Sequence, residues 1–163
     1  MHREMRRKKQ HLTEEDSVKA LERGNSGVLS LIGLDGSPYG VPLNYLYRDS
    51  CLFFHCAVEG YKLDCINKDS RASFCVIDKD ETVPSRFTSY FRSVIVSGRV
   101  EIITDDKEKY SAIEALADKY CDIGENDIYE RVREVEIERS WARLCLLRLN
   151  IEHISGKQAI ELV

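Results

Sequence analysis

The sequence predicts a mainly β fold with added helices: a small barrel of about six antiparallel strands in a single domain. Three observations carry this. Short apolar runs alternate with turn residues through VLSLIGL, YGVPLNYLY and CLFFHCA, close enough in sequence for antiparallel hairpins. Helical spacing is confined to a few segments between such runs. The length, 163 residues, suits one hydrophobic core, and antiparallel strands of this number need closure or cover at their edges.

In chain order, Thr13 followed by Glu14, Glu15 and Asp16 predicts a helix start, a hydroxyl cap with acids where they complement the helix dipole. That helix should end near Gly24. From Val28 the pattern reads strand, the turn DGSP, strand, the turn RDS, strand, which predicts a three-stranded meander. YKLDCINKDS predicts a short helix with Leu63 and Ile66 on one side. ASFCVID and SVIVSGRVEII predict two more strands, separated by a loop holding Pro84 and the Phe87 to Phe91 aromatic cluster. Tyr110, Ile113, Leu116, Ala117 and Tyr120 recur at helical spacing. An acidic linker at 122–127, a charged helix around 128–134 and a last strand in WARLCLLRLNIEHISGK complete the reading.

Composition is that of an ordinary soluble chain, with 24 Lys plus Arg against 28 Asp plus Glu and a formal charge of −4. Such a balance gives no basis for a nucleic-acid partner. The basic patch is the start of the chain, Arg3, Arg6, Arg7, Lys8 and Lys9, read as a flexible segment over residues 1–11. No apolar stretch follows it, and none reaches the roughly 18 residues of a membrane span, so the cytoplasm is the expectation. Six cysteines are present without a C-x-x-C pair, most of them inside apolar runs such as FCVI and LCLL. They read as reduced thiols acting as small hydrophobes rather than as metal ligands or disulfides.

The chemistry concentrates where LFFHCA runs into VEGYK. A strand-to-helix turn can aim backbone amides at an anion, Gly60 permits close approach, and Lys62 adds a mobile positive charge. Upstream, Pro42 in VPLNY removes a ladder donor and belongs at an edge, a bulge or a ligand, with Asn44 on the same face. A flat heteroaromatic ring with imide edges could lie along such a strand. Each element alone also fits plain packing or a plain turn.

Together, SPYGVPLNYLY, LFFHCAVEGYKLD, SVIVSGRVEII and WARLCLLRLNIEHISGK resemble the pyridoxamine 5′-phosphate oxidase-like flavoproteins, and within them the 5-nitroimidazole reductase (Nim) group. The resemblance covers almost the whole chain. It implies a split β-barrel homodimer with FMN at the subunit interface. By position it implies Val41, Pro42 and Asn44 along the isoalloxazine, and His55, Cys56 and Ala57 beside the ring and ribityl chain. It puts Gly60, Tyr61 and Lys62 on the phosphate, Ser93 as a further polar contact, and Trp141 near the flavin from the partner subunit.

On that footing the expected activity is FMN-dependent electron transfer from a reduced nicotinamide to a small acceptor, a nitroaromatic among the candidates, with His55 as the catalytic residue. No G-x-G-x-x-G is present, so nicotinamide would visit transiently. The family's substrate-binding Arg and His cannot be placed, which weighs against pyridoxamine phosphate oxidation. The rival readings are a flavin-binding sensor or storage protein without turnover, and a haem or metal module using His55 with Cys56 or His153.

Overall fold

A computed structural model of the chain describes residues 5–120 and 127–163. Seven strands form one sheet: β1 Ser26–Ile32, β2 Pro38–Asn44, β3 Leu46–Arg48, β4 Cys51–Ala57, β5 Arg71–Val83, β6 Thr88–Ile102 and β7 Leu144–Gln158. The order across the sheet is β2-β1-β5-β6-β7-β4-β3, antiparallel throughout. β2 and β3 stand at opposite ends of that order, yet Tyr45 alone separates them in the chain. Two residues span about 7 Å at most, so the two ends of the sheet must lie side by side. The sheet therefore curls into a barrel.

Local chemistry explains the turns. The β3–β4 hairpin turns at Asp49 and Ser50, both in the left-handed region with φ of 53° and 58°, as a two-residue turn with mirror-image twist requires. A bulge interrupts β6 against β7 between Ser97 and Gly98, where a Cβ on Gly98 would come within 1.9 Å of the Asn150 carbonyl oxygen.

Four helices are added: α1 Glu14–Arg23, α2 Tyr61–Lys68, α3 Asp106–Tyr120 and α4 Asp127–Ser140. α1 starts as the sequence implies, with the Thr13 hydroxyl accepting from the Asp16 amide at 3.0 Å. Its Ala20 and Leu21 join the barrel interior of Leu29, Phe54, Phe74, Val76, Val94, Val96, Leu147 and Leu149. A second cluster, Phe53, Leu144 and Leu146 with Ala112 and Leu116, seats α3 on the outside of β4 and β7. The run LCLL is buried throughout because β7 is covered on both faces. No described helix is long and apolar enough to cross a membrane.

Three expectations are corrected. The meander is broken: β4 pairs with β7 and β3, never with β2, because the chain turns at Tyr45 inside the run read as one strand. The expected loop of Pro84 and the aromatic residues is mostly strand, since β5 and β6 pair from Val83↔Thr88 onward. Trp141 lies in a 3-10 turn, Trp141–Arg143, ahead of β7 rather than in it, because its ring packs against α3. The expected acidic linker falls almost wholly outside the described residues.

Candidate functional site

The β3–β4 ladder runs from Arg48↔Cys51 to Leu46↔Phe53 and stops. Continued in register, it would set Asn44 opposite His55 and Pro42 opposite Ala57. Instead β2 leaves to pair with β1, while β4 stays with β7 as far as Ala57↔Leu144. A split opens between β2 and β4, and Pro42, Asn44, His55 and Ala57 are all exposed along it. No described strand pairs with β2 or β4 along the facing edges, which leaves backbone donors and acceptors for a ligand.

The head of the split is held by a polar clasp that the sequence does not reveal. Buried Tyr45 donates its hydroxyl to the Leu21 carbonyl at 2.7 Å, and its amide donates to the Tyr120 hydroxyl at 2.9 Å. The Lys119 ammonium donates to the carbonyls of Gly24 at 2.6 Å and Tyr45 at 3.0 Å and lies 4.3 Å from the Tyr45 ring centroid. Burial lowers the Lys119 pKa. Sequence carries no signal for these contacts, whose partners lie far apart in the chain.

The other end of the split is the start of α2. Gly60 caps the helix with φ of 133°, a conformation that glycine tolerates, and a Cβ there would meet nothing within 4 Å. The first amides of α2 point out of the helix with half-buried Lys62 beside them. Tyr61 serves the scaffold, because its hydroxyl accepts from the Leu34 amide at 3.0 Å and its ring meets Tyr39 edge-on at 4.9 Å. The Lys68 ammonium donates to the Leu34 carbonyl, so α2 clamps the β1–β2 turn beside the split.

Alternation along β4 separates two neighbours. His55 faces outward, whereas Cys56 faces the interior directly across from Cys145. Burial pushes the Cys56 thiol up to about 12, the Cys145 sulfur adds to the rise, and Lys62 opposes it. Val41 is half-buried on the inner side of β2, with Pro42 and Asn44 on the outer side. The Asn44 side chain donates to the Asn25 carbonyl at 3.0 Å.

The structure thus brings together Pro42, Asn44, His55, Ala57, Gly60 and Lys62, with the backbone of Val41 and Cys56 between them. It does not bring Ser93 or Trp141 to the split of the same chain. Ser93 lies on β6, two strands from β4 and three from β2, roughly 10 Å and 14 Å away at ordinary strand spacing. Trp141 packs on the α3 cluster with the Lys109 ammonium 4.1 Å from its ring centroid.

A barrel split between two strands, lined by open backbone edges and ending in a helix start with a lysine, defines a class: the split-barrel proteins. The profile of the pyridoxamine 5′-phosphate oxidase family matches residues 13–158, and the chain belongs to that family. No curated protein sequence matches it. Among solved structures, one assigned to 5-nitroimidazole antibiotic resistance in Bacteroides thetaiotaomicron superposes with a TM-score of 0.74 at 18% identity, over 91% of this chain and 86% of that one. An FAD-binding protein of Mesorhizobium loti gives 0.66 at 26% identity, over 92% and 97%. The flavocytochrome Anf3 of Azotobacter vinelandii gives 0.76 at 20% identity, over 96% and 72%.

Proposed function

We propose that the protein is an FMN-dependent oxidoreductase that takes electrons from a reduced nicotinamide and passes them to a small acceptor of the nitroaromatic class. The observation that carries this reading is the β2–β4 split, with open strand edges along its length and Gly60 and Lys62 at its end. The fit is chemical. The strand edges offer donors and acceptors to the imide edge of an isoalloxazine, and Gly60 keeps side-chain bulk away from the phosphate. Lys62 and the first amides of α2 hold that phosphate.

When bound, FMN supplies two-electron hydride exchange that no side chain can perform. The chain's own residues bind and orient. Pro42 and Ala57 give the ring apolar contact without competing donors, and Asn44 presents its amide oxygen beside the ring edge. His55, exposed on the rim, hands a proton to the acceptor or takes one from it. A second copy of the chain covers the outer side of the split, bringing its Ser93 and Trp141 regions to this site, and the assembly works in the cytoplasm.

The test is an absorbance spectrum of purified protein before and after FMN is added and the excess removed, followed by anaerobic oxidation of reduced nicotinamide with a 5-nitroimidazole as acceptor. Retained flavin with acceptor-dependent oxidation is the expected result. Retained flavin without nicotinamide oxidation makes the protein a flavin sensor or store. No retained flavin refutes the reading.

A further inference from the structure

The clasp at the head of the split holds a charge that no described acid balances. Lys119, at the end of α3, is half-buried, and its ammonium donates to the Gly24 and Tyr45 carbonyls at 2.6 and 3.0 Å. The ring centroids of Tyr45 and Tyr120 lie 4.3 and 5.5 Å from it. Among the described residues no carboxylate pairs with it. Asp78 and Arg23, whose charges reach the Tyr45 hydroxyl, bind each other at 2.6 Å. Two carbonyls and two ring faces support an ammonium only in part, and withdrawing a charge from water without a counter-charge is costly. Closing the barrel does not call for that charge, because a neutral amide donor would serve the same carbonyls.

The charge stands where a ring in the split would meet it. Asn44 and Tyr45 are chain neighbours, and the Tyr120 hydroxyl also meets the Asn44 side chain. Gly60 and Lys62 mark the opposite end of the split, so a flavin with its phosphate there has its ring toward the clasp. A ring edge beside Asn44 falls within roughly 10 Å of the ammonium, across protein rather than open water. Hydride transfer from a reduced nicotinamide delivers two electrons and one proton. The nicotinamide leaves oxidised, and the ring carries one added negative charge until a second proton follows. A fixed cation favours that charged form over the neutral oxidised one.

On the reading that FMN occupies the split, we propose that Lys119 is a positioning residue for the reaction: it fixes a positive charge beside the ring, tightens the hold on reduced FMN and raises the flavin's potential. Lys62 differs in kind, since a phosphate contact serves both redox forms alike.

The experiment is spectroelectrochemical titration of FMN bound to the full chain, with the affinity for oxidised FMN measured alongside. It compares the parent with Lys119→Gln, Lys119→Met, Lys119→Arg and Tyr120→Phe, each checked for fold by circular dichroism. Lys119→Gln keeps a neutral donor and Lys119→Met keeps side-chain length, so a fold lost in one is tested in the other. In both, the affinity for reduced relative to oxidised FMN should fall by about tenfold or more, which lowers the two-electron potential by about 30 mV. Lys119→Arg should keep the parent potential. Tyr120→Phe, which loosens the same joint without altering its charge, should keep it too. An unmoved potential in the neutral variants overturns the proposal while FMN retention upholds the flavin reading. An equal fall in Tyr120→Phe or in Lys119→Arg also overturns it, because Lys119 then acts only through barrel closure. A parent chain that retains no FMN refutes both readings.

Discussion

At the residue scale the proposed function divides the split between groups that would bind FMN and one that would react. Lys62 is half-buried at the start of α2, where a phosphate contact would be charge-assisted, so Lys62→Ala should weaken FMN by about 1.5–3 kcal/mol in a fluorescence titration. Unchanged affinity removes Lys62 from the site. His55 touches the rim and not the phosphate end, so His55→Ala should lower turnover more than flavin affinity, and equal losses would make it a binding residue only. Cys56 faces the interior and plays neither part. Its thiol is held neutral by burial, its folded value near 12 against an ordinary value of 9.0. The folded state then binds more protons than the unfolded one between those values, so its contribution to stability is complete below pH 9 and is lost as pH rises toward 12. A denaturation series from pH 7 to 11 should show Cys56→Ala less sensitive to alkali than the parent chain, and equal slopes would refute this. His55 and Lys62 were legible because a polar residue beside an apolar run stands out. The opposite facing of Cys56 was already implicit in strand alternation.

At the element scale the decisive joint is the one-residue link between β2 and β3. Tyr120 satisfies the Tyr45 amide and donates within 2.6 Å of its carbonyl, so Tyr120→Phe removes bonds at the point where the barrel closes. We expect a loss of about 1 kcal/mol in chemical denaturation, together with faster amide exchange at Tyr45 than at Phe54 in the middle of β4. A stability change without local exchange would place the effect elsewhere. The strands themselves were readable, since β1, β4 and the inner half of β6 alternate or run apolar in the expected way. Their partners were not. YGVPLNYLY contains no breaker at Tyr45, and the turn there is enforced by α3, whose last residues approach from 74 and 75 positions away. The β5–β6 hairpin is hidden in the sequence for a related reason: KDET has no buried face to alternate with. Phe87 at its tip is 99% exposed in the left-handed region. Phe87→Gly should therefore leave stability unchanged or raise it by up to about 1 kcal/mol, and a clear loss would show that the ring has a partner.

At the scale of the whole molecule, the outer face of the barrel explains why the proposed site calls for a second copy. Pro42, Val28, Cys75 and Ile95 follow one another across β2, β1, β5 and β6 as register partners, and Ile77 adjoins them. Val28, Ile77 and Ile95 are 42%, 67% and 50% exposed, a contiguous apolar row rather than scattered side chains. Pro42 belongs both to this row and to the rim of the split, so whatever covers the row also reaches the split. A symmetric dimer covering it would bury on the order of 1,200–2,000 Å² in all and supply the Ser93 and Trp141 regions that one chain keeps away from its own split. Ile95→Asp places a charge at the centre of the row while leaving the barrel interior intact. Light scattering should show a monomer, circular dichroism an unchanged fold, and gel filtration a loss of retained FMN. A dimer that persists in Ile95→Asp moves the interface elsewhere, and a monomer that still holds FMN confines the site to one chain. Either result separates the architecture of the dimer from the chemistry of the split, because Lys62→Ala probes the second without disturbing the first.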